Sequence, residues 1–318
     1  MVDEITAPEA TRPESAGTTR RRALKCMAFA GAGVLWTVSG GVPRALRLAG
    51  TAVAATGDFS FVQISDSHIG FKTAPNPDPA ATLHEALARI GQLPARPALL
   101  VHTGDVSHLA KPEQFDAAAE IVKSAGLETH YVPGEHDVLN DQGKGFFERF
   151  GTAATPGGWY SFDQGGVHFV ALVNVLNLRP GGLGYLGGDQ LEWLEQDLKG
   201  RSASTPIVVL AHMPLWALYP QWGWGTDDAA EALSYLKRFG SVTVLNGHIH
   251  QVLQKVEGNV TFQTARSTAY PQPAPGEGPG PGPLKVPADR LKSMLGIRRI
   301  EVRSETGTVA ISDTVLGA

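Results

Sequence analysis

Asp66 with His68, Asp105 after Gly104, Glu135-His136-Asp137 after Gly134, a lone His212, and His248 with His250 after Gly247 can do chemistry by type and spacing. They hold half of the ten histidines in the chain. Carboxylates and imidazoles gathered in this number suit ions that take oxygen and nitrogen donors, namely zinc, iron or manganese. Cys26 is the only cysteine, which leaves no thiolate site and no disulfide. Ligands enough for two ions point to metal-assisted hydrolysis of a phosphate ester. Taken singly, each residue has a plainer reading. An Asp at a strand end is more often a cap or turn former, and a lone His more often a hydrogen-bonded interior residue. Two histidines in Gly247-His-Ile-His250 are more specific, and all the clusters in this order are more specific still.

The elements that must position these residues alternate in type. Residues 59–64, 98–102, 129–132, 207–211 and 242–245 are short apolar runs that read as buried strands. Between them, 80–93, 112–124, 188–198 and 227–239 carry helical spacing, the second opening on Pro112. Residues 159–174 read as a hairpin turning at Gln164-Gly165-Gly166. After Ile249 the pattern becomes consecutive strands at 251–256, 260–264, 298–304 and 308–315. Alternation followed by a run of strands predicts an α/β sandwich closed by antiparallel strands. Every polar cluster follows a predicted strand, which is where open α/β sheets place their sites. One domain is expected over 56–318, with a Pro/Gly-rich surface loop at 271–290 and closing strands at 291–318.

Residues 1–55 read differently. A polar leader over 1–18 precedes Thr19-Arg20-Arg21-Arg22-Ala23-Leu24-Lys25 and a Gly/Ala-rich apolar stretch from Cys26 to Val42. This resembles a twin-arginine export signal, with Ala52-Val53-Ala54-Ala55 as an A-x-A cleavage site. The stretch is short, broken by glycine and closed by Arg44, so no stable membrane span is expected in the mature form. The expectation is a bacterial protein, periplasmic or secreted, handed to the twin-arginine machinery. A net charge of −4 gives no reason to expect a nucleic-acid surface.

The order D-x-H, G-D, G-N-H-[DE], H, G-H-x-H is similar to that of calcineurin-like metallophosphoesterases, over roughly residues 58–265. The resemblance implies a four-layer α/β/β/α sandwich with two metal ions bridged by Asp105. It assigns Asp66, His68, Asp105 and His250 to the first ion, and Asp105, Glu135, His212 and His248 to the second. His136, paired with Asp137, would contact the phosphate and protonate the leaving group. A hydroxide between the metals would attack phosphorus in line. Iron–tyrosinate members carry Tyr three residues after the bridging Asp; here His108 stands there, which argues against a purple acid phosphatase.

Glu135 departs from the family's Asn. A carboxylate adds a negative charge and removes an amide donor. With two divalent ions and a hydroxide, the site becomes neutral rather than cationic, and its pull on a phosphate weakens. An Fe(III)–M(II) pair, or a substrate of low charge such as a diester, would answer that. The alternatives are that Glu135 turns away and the second metal is weak or absent, or that the chemistry is weakened or redirected. On the substrate side, Trp216, Tyr219, Trp222 and Trp224 follow His212 and can stack on a base, a sugar or a lipid headgroup. A loop burying its own aromatics explains them equally well. The expected partner is a small phosphate ester.

Overall fold

The computed structural model describes residues 35–39, 42–46, 59–151, 156–303 and 308–317. The chain divides into two units, Met1–Ala54 and Ala55–Ala318. In the first, β1 (Leu35–Ser39) and β2 (Val42–Leu46) pair antiparallel, Leu35 opposite Leu46. The arginine-rich segment 19–25, Cys26 and the expected cleavage site at 52–55 lie outside the described residues.

The second unit holds two sheets. One joins β3 (Phe59–Ile64), β4 (Leu99–His102), β5 (Glu128–Tyr131), β12 (Gly296–Arg303) and β13 (Thr308–Val315) in the order β13-β12-β3-β4-β5. The other joins β6 (Tyr160–Gln164), β7 (Val167–Ala171), β8 (Ile207–Leu210), β9 (Val242–Asn246), β10 (Gln254–Glu257) and β11 (Val260–Thr264) in the order β10-β11-β9-β8-β7-β6. Within the sheets, β3-β4-β5 and β7-β8-β9-β11 run parallel, and the remaining pairs are antiparallel.

Successive strand residues face opposite ways, and here both ways are buried. Phe61, Leu99, Val101, Val208, Leu210 and Ile300 meet between the sheets. Val62, Ile64 and Leu100 face outward beneath α1 (Pro79–Gly91), α2 (Pro112–Lys123), α3 (Lys144–Phe150) and α6 (Ala288–Met294). Ile207, Val209, Val242 and Val244 face outward beneath α4 (Gly188–Leu198) and α5 (Ala229–Leu236). This is the four-layer α/β/β/α sandwich. The uninterrupted apolar runs of the sequence are strands covered on both faces.

Helix α1 starts where Asp78 accepts the Ala81 N–H at 3.1 Å, with Pro79 in its first turn. The seven-residue α3 and α6 add to the expected helices, the latter beginning inside the stretch expected as loop. Among the described residues, no helix is long and apolar enough to cross a membrane.

Candidate metal centre

Both sheets deliver polar loops to one place. The turn after β3 carries Asp66 and His68, that after β4 Asp105, that after β5 Glu135, and those after β8 and β9 His212, His248 and His250. The loops are laced together by backbone. Asp66 N–H donates to the Gly104 carbonyl and His68 N–H to the Asp105 carbonyl, each at 2.9 Å. Asp66 Oδ1 accepts the His248 N–H at 3.0 Å, and Asp105 Oδ1 the His136 N–H at 2.9 Å. Each carboxylate thus fixes a loop that bears another candidate ligand.

Two donor groups result. In one, His250 Nε2 lies 3.2 Å from Asp66 Oδ1 and 3.3 Å from His68 Nε2. In the other, Glu135 Oε2 lies 2.8 Å from His212 Nε2 and Glu135 Oε1 lies 3.0 Å from His248 Nδ1. Asp105 Oδ2 stands 3.5 Å from His68 Nε2 and 3.5 Å from His212 Nε2, so one oxygen joins the two groups. Outer partners aim the rings. The Thr103 carbonyl takes His212 Nδ1 at 2.7 Å, and the Tyr270 carbonyl takes His250 Nδ1 at 2.5 Å, leaving both Nε2 atoms inward. Asp66 Oδ2, Glu135 Oε2, His212 Nε2 and both His248 nitrogens are buried without a well-formed hydrogen bond. Buried oxygens and imidazole nitrogens brought this close, several of them without a hydrogen-bond partner, fit a shell around metal ions.

The backbone is bent to make this shell. Among the described residues, seven non-glycine positions have positive φ, and five are Asp66, His68, Asp105, His248 and His250. Such conformations are uncommon for residues with a Cβ and concentrate at functional sites. Glycines in the motifs serve close approach. A Cβ on Gly134 would stand 2.1 Å from Asp105 Oδ1, and one on Gly247 would stand 2.0 Å from Ser65 Oγ.

Charges follow the geometry. Burial and the neighbouring imidazoles of His136 and His250 hold His68 well below the usual histidine range, in the neutral form that can ligate. Burial works against ionisation of Glu135, but His248 and His212 outweigh it and keep the carboxyl well below its usual range. Burial likewise opposes charge on His136, and the carboxylates of Asp105 and Glu135 with the His108 carbonyl raise it nonetheless. His102, pushed down to about 3 by burial, is a neutral interior residue bonded to Ser67 Oγ at 3.0 Å.

Some expected placements differ. Asp137 does not pair with His136. Its carboxylate accepts the backbone N–H groups of Val106, Ser107 and Gly134 and the Ser107 hydroxyl at 2.8–3.0 Å. In the tight 3-10 turn of Glu135–Asp137, consecutive side chains diverge, so Asp137 clasps the Asp105 loop instead. His136 is oriented by the His108 carbonyl, 2.7 Å from Nδ1.

The aromatic segment after His212 folds onto itself. Trp216 is buried against Phe262, and Trp224 is fully buried with Trp222 at 5.1 Å and Tyr219 beyond it. The walls of the cavity over the donor groups, about 350 Å³, come from Phe71, His108, Tyr270, Gln272, Pro281 and Pro283. The Pro/Gly-rich stretch thus covers the site, and the tryptophans do not. Tyr270, which carried no motif signal, presents its hydroxyl 3.1 Å from His68 Nε2.

Residues 59–252 match the family of calcineurin-like phosphoesterases. A protein named a probable cyclic nucleotide phosphodiesterase from Synechococcus sp. is 30% identical over 214 residues, spanning 66% of this chain and 80% of its own. A 3′,5′-cyclic-nucleotide phosphodiesterase of Nostoc sp. is 27% identical, spanning 66% and 79%. In fold, the chain is similar to a dimetal phosphatase from Danio rerio, with TM-score 0.56, 14% identity and coverage of 81% and 98%. The chain belongs to the calcineurin-like phosphoesterase family and is a metal-dependent phosphoric ester hydrolase.

Proposed function

We propose that this chain hydrolyses phosphodiesters, with cyclic nucleotides as the substrates to try first. The observation that carries this is the inward carboxylate of Glu135, between His212 and His248. A third carboxylate beside Asp66 and Asp105 lowers the attraction for a dianionic monoester more than for a monoanionic diester. The 3′,5′-cyclic-nucleotide phosphodiesterase of Nostoc and the protein named a probable cyclic nucleotide phosphodiesterase from Synechococcus support the same substrate class.

Bound ions would supply Lewis acidity and an acidified water as nucleophile. Asp66, His68, Asp105 and His250 would hold one ion, and Asp105, Glu135, His212 and His248 the other, by the donor groups described. Iron in the trivalent state at one position offsets the charge of Glu135, and an Fe(III)–M(II) pair is the combination we favour. His136, fixed through Nδ1 and favoured in its charged form, has Nε2 free to give a proton to the leaving oxygen. Asp137 keeps the Asp105 and His136 loops in register.

Turnover of a chromogenic diester, a chromogenic monoester and a 3′,5′-cyclic nucleotide, measured beside Glu135→Asn, tests the reading. Preference for diesters that falls on substitution supports it. A gain in diester turnover with Asn means Glu135 weakens the site, and the reading fails. The Arg-rich segment at 19–25 supports export by the twin-arginine route to the periplasm or beyond. Retention of the precursor after Arg20, Arg21 and Arg22 are changed to Lys tests that step.

A further inference from the structure

Tyr270 is 3% exposed and lines the cavity over the donor groups, with its hydroxyl 3.1 Å from His68 Nε2. We propose that Tyr270 binds substrate, its phenol O–H donating to a phosphoryl oxygen held beside His68. The inference deepens the phosphoester-hydrolase reading and rests on it.

The ring is held from several sides. It stacks on His68 with centroids 4.7 Å apart and 25° between planes, and packs on Phe71 at 4.6 Å and His250 at 4.7 Å. Its backbone is fixed as well. The Tyr270 N–H donates to Ser267 Oγ at 3.1 Å, the Ser267 hydroxyl donates to the Asp66 carbonyl at 2.7 Å, and the Tyr270 carbonyl takes His250 Nδ1. The phenol is therefore preorganised to the same frame as two candidate ligands.

Its hydrogen bond identifies its role. The Tyr270 hydroxyl contacts His68 Nε2 at 3.1 Å, the atom that also faces Asp105 and His250. An imidazole nitrogen has one lone pair in its plane. Once that pair goes to an ion, the phenol loses its acceptor and must find another in a buried place. The acceptor that arrives with the reaction is a phosphoryl oxygen. The carboxylates around the cavity accept only, so a neutral donor on this wall supplies what they lack.

The test uses the metal-loaded protein and inorganic phosphate as probe. Tyr270→Phe should retain both metal equivalents and bind phosphate roughly ten- to a hundredfold more weakly by calorimetry, the range for a lost hydrogen bond to a charged group. The KM for a chromogenic diester should rise with it. Unchanged phosphate affinity overturns the proposal, and so does loss of a metal equivalent, which would make Tyr270 a ligand. Should Tyr270→Phe not fold, 3-fluorotyrosine placed at 270 gives a fluorine resonance that must shift when phosphate is added; a resonance that stays put overturns the proposal. If the wild type hydrolyses diesters while Tyr270→Phe behaves like it, only the role of Tyr270 falls. If the wild type neither binds phosphate nor turns over any ester, the hydrolase reading falls first.

Discussion

Glu135 Oε2 lies 2.8 Å from His212 Nε2, the shortest approach between candidate ligands of the second group. A carboxylate oxygen and an imidazole nitrogen at this distance are placed to share one ion. Glu135→Ala should therefore remove one metal equivalent, while Glu135→Asn keeps an oxygen donor and retains both. Loss of affinity for that ion should be at least the roughly ten- to hundredfold that removal of an outer partner costs. Metal analysis after dialysis decides it, and two equivalents retained in the Ala variant would show that Glu135 is no ligand.

Gly134 has no room for a side chain. A methyl group there would sit 2.1 Å from Asp105 Oδ1 and 2.4 Å from the Asp105 nitrogen. Gly134→Ala should cost about 1–3 kcal/mol, as overpacking does, and should lower turnover further than stability, because the displaced carboxylate is the one that stands between the two donor groups. Thermal unfolding and a diester assay on the same preparation check both halves.

A second charged cluster stands on the outer edge of the β6–β8 region. His168, fully buried, is 2.9 Å from Asp163 and 2.7 Å from Asp197. Burial raises Asp197, but hydrogen bonds from His168 and Ser161 outweigh it and lower the carboxyl below 3.8. A lowered value means the stabilisation is complete above the unfolded value and is lost as pH falls through the folded one. Asp197→Asn should therefore destabilise the protein at neutral pH, and its deficit against wild type should shrink below about pH 4. Urea unfolding across that range measures it; a deficit that stays constant with pH contradicts the linkage.

Arg298 is 1% exposed on β12 and makes two bonds to Asp313 on β13, at 2.8 and 3.0 Å. Removing only the acid leaves a buried cation unpaired. Because the Asp313 side is open to water, Asp313→Ala should cost about 1.5–3 kcal/mol, whereas replacing both residues with apolar ones of similar volume should cost less. Chemical denaturation of the single and double variants separates the two outcomes.

Much of this arrangement was legible in the chain. The strands are legible because runs such as 59–64 and 207–210 are buried on both faces, and the candidate ligands because each follows such a run. What stayed hidden depended on local direction or on distance in sequence. Asp137 reads as a partner of His136 by adjacency, yet a tight turn sends the two apart. The tryptophans after His212 read as a rim by adjacency too, yet Trp216 and Trp224 are needed in the interior. Tyr270 lies twenty residues beyond His250 in a stretch without periodicity, and only the folded chain brings it to His68.

The left-handed backbone at Asp66, His68, Asp105, His248 and His250 has a kinetic consequence. Turns tied into the fold by their own hydrogen bonds should need little chain rearrangement on loading. Uptake should then be paced by exchange of water on the incoming ion, rising linearly with its concentration and showing no slow phase. Fast-exchanging ions would enter first, and slowly exchanging ones would arrive late whatever their final affinity.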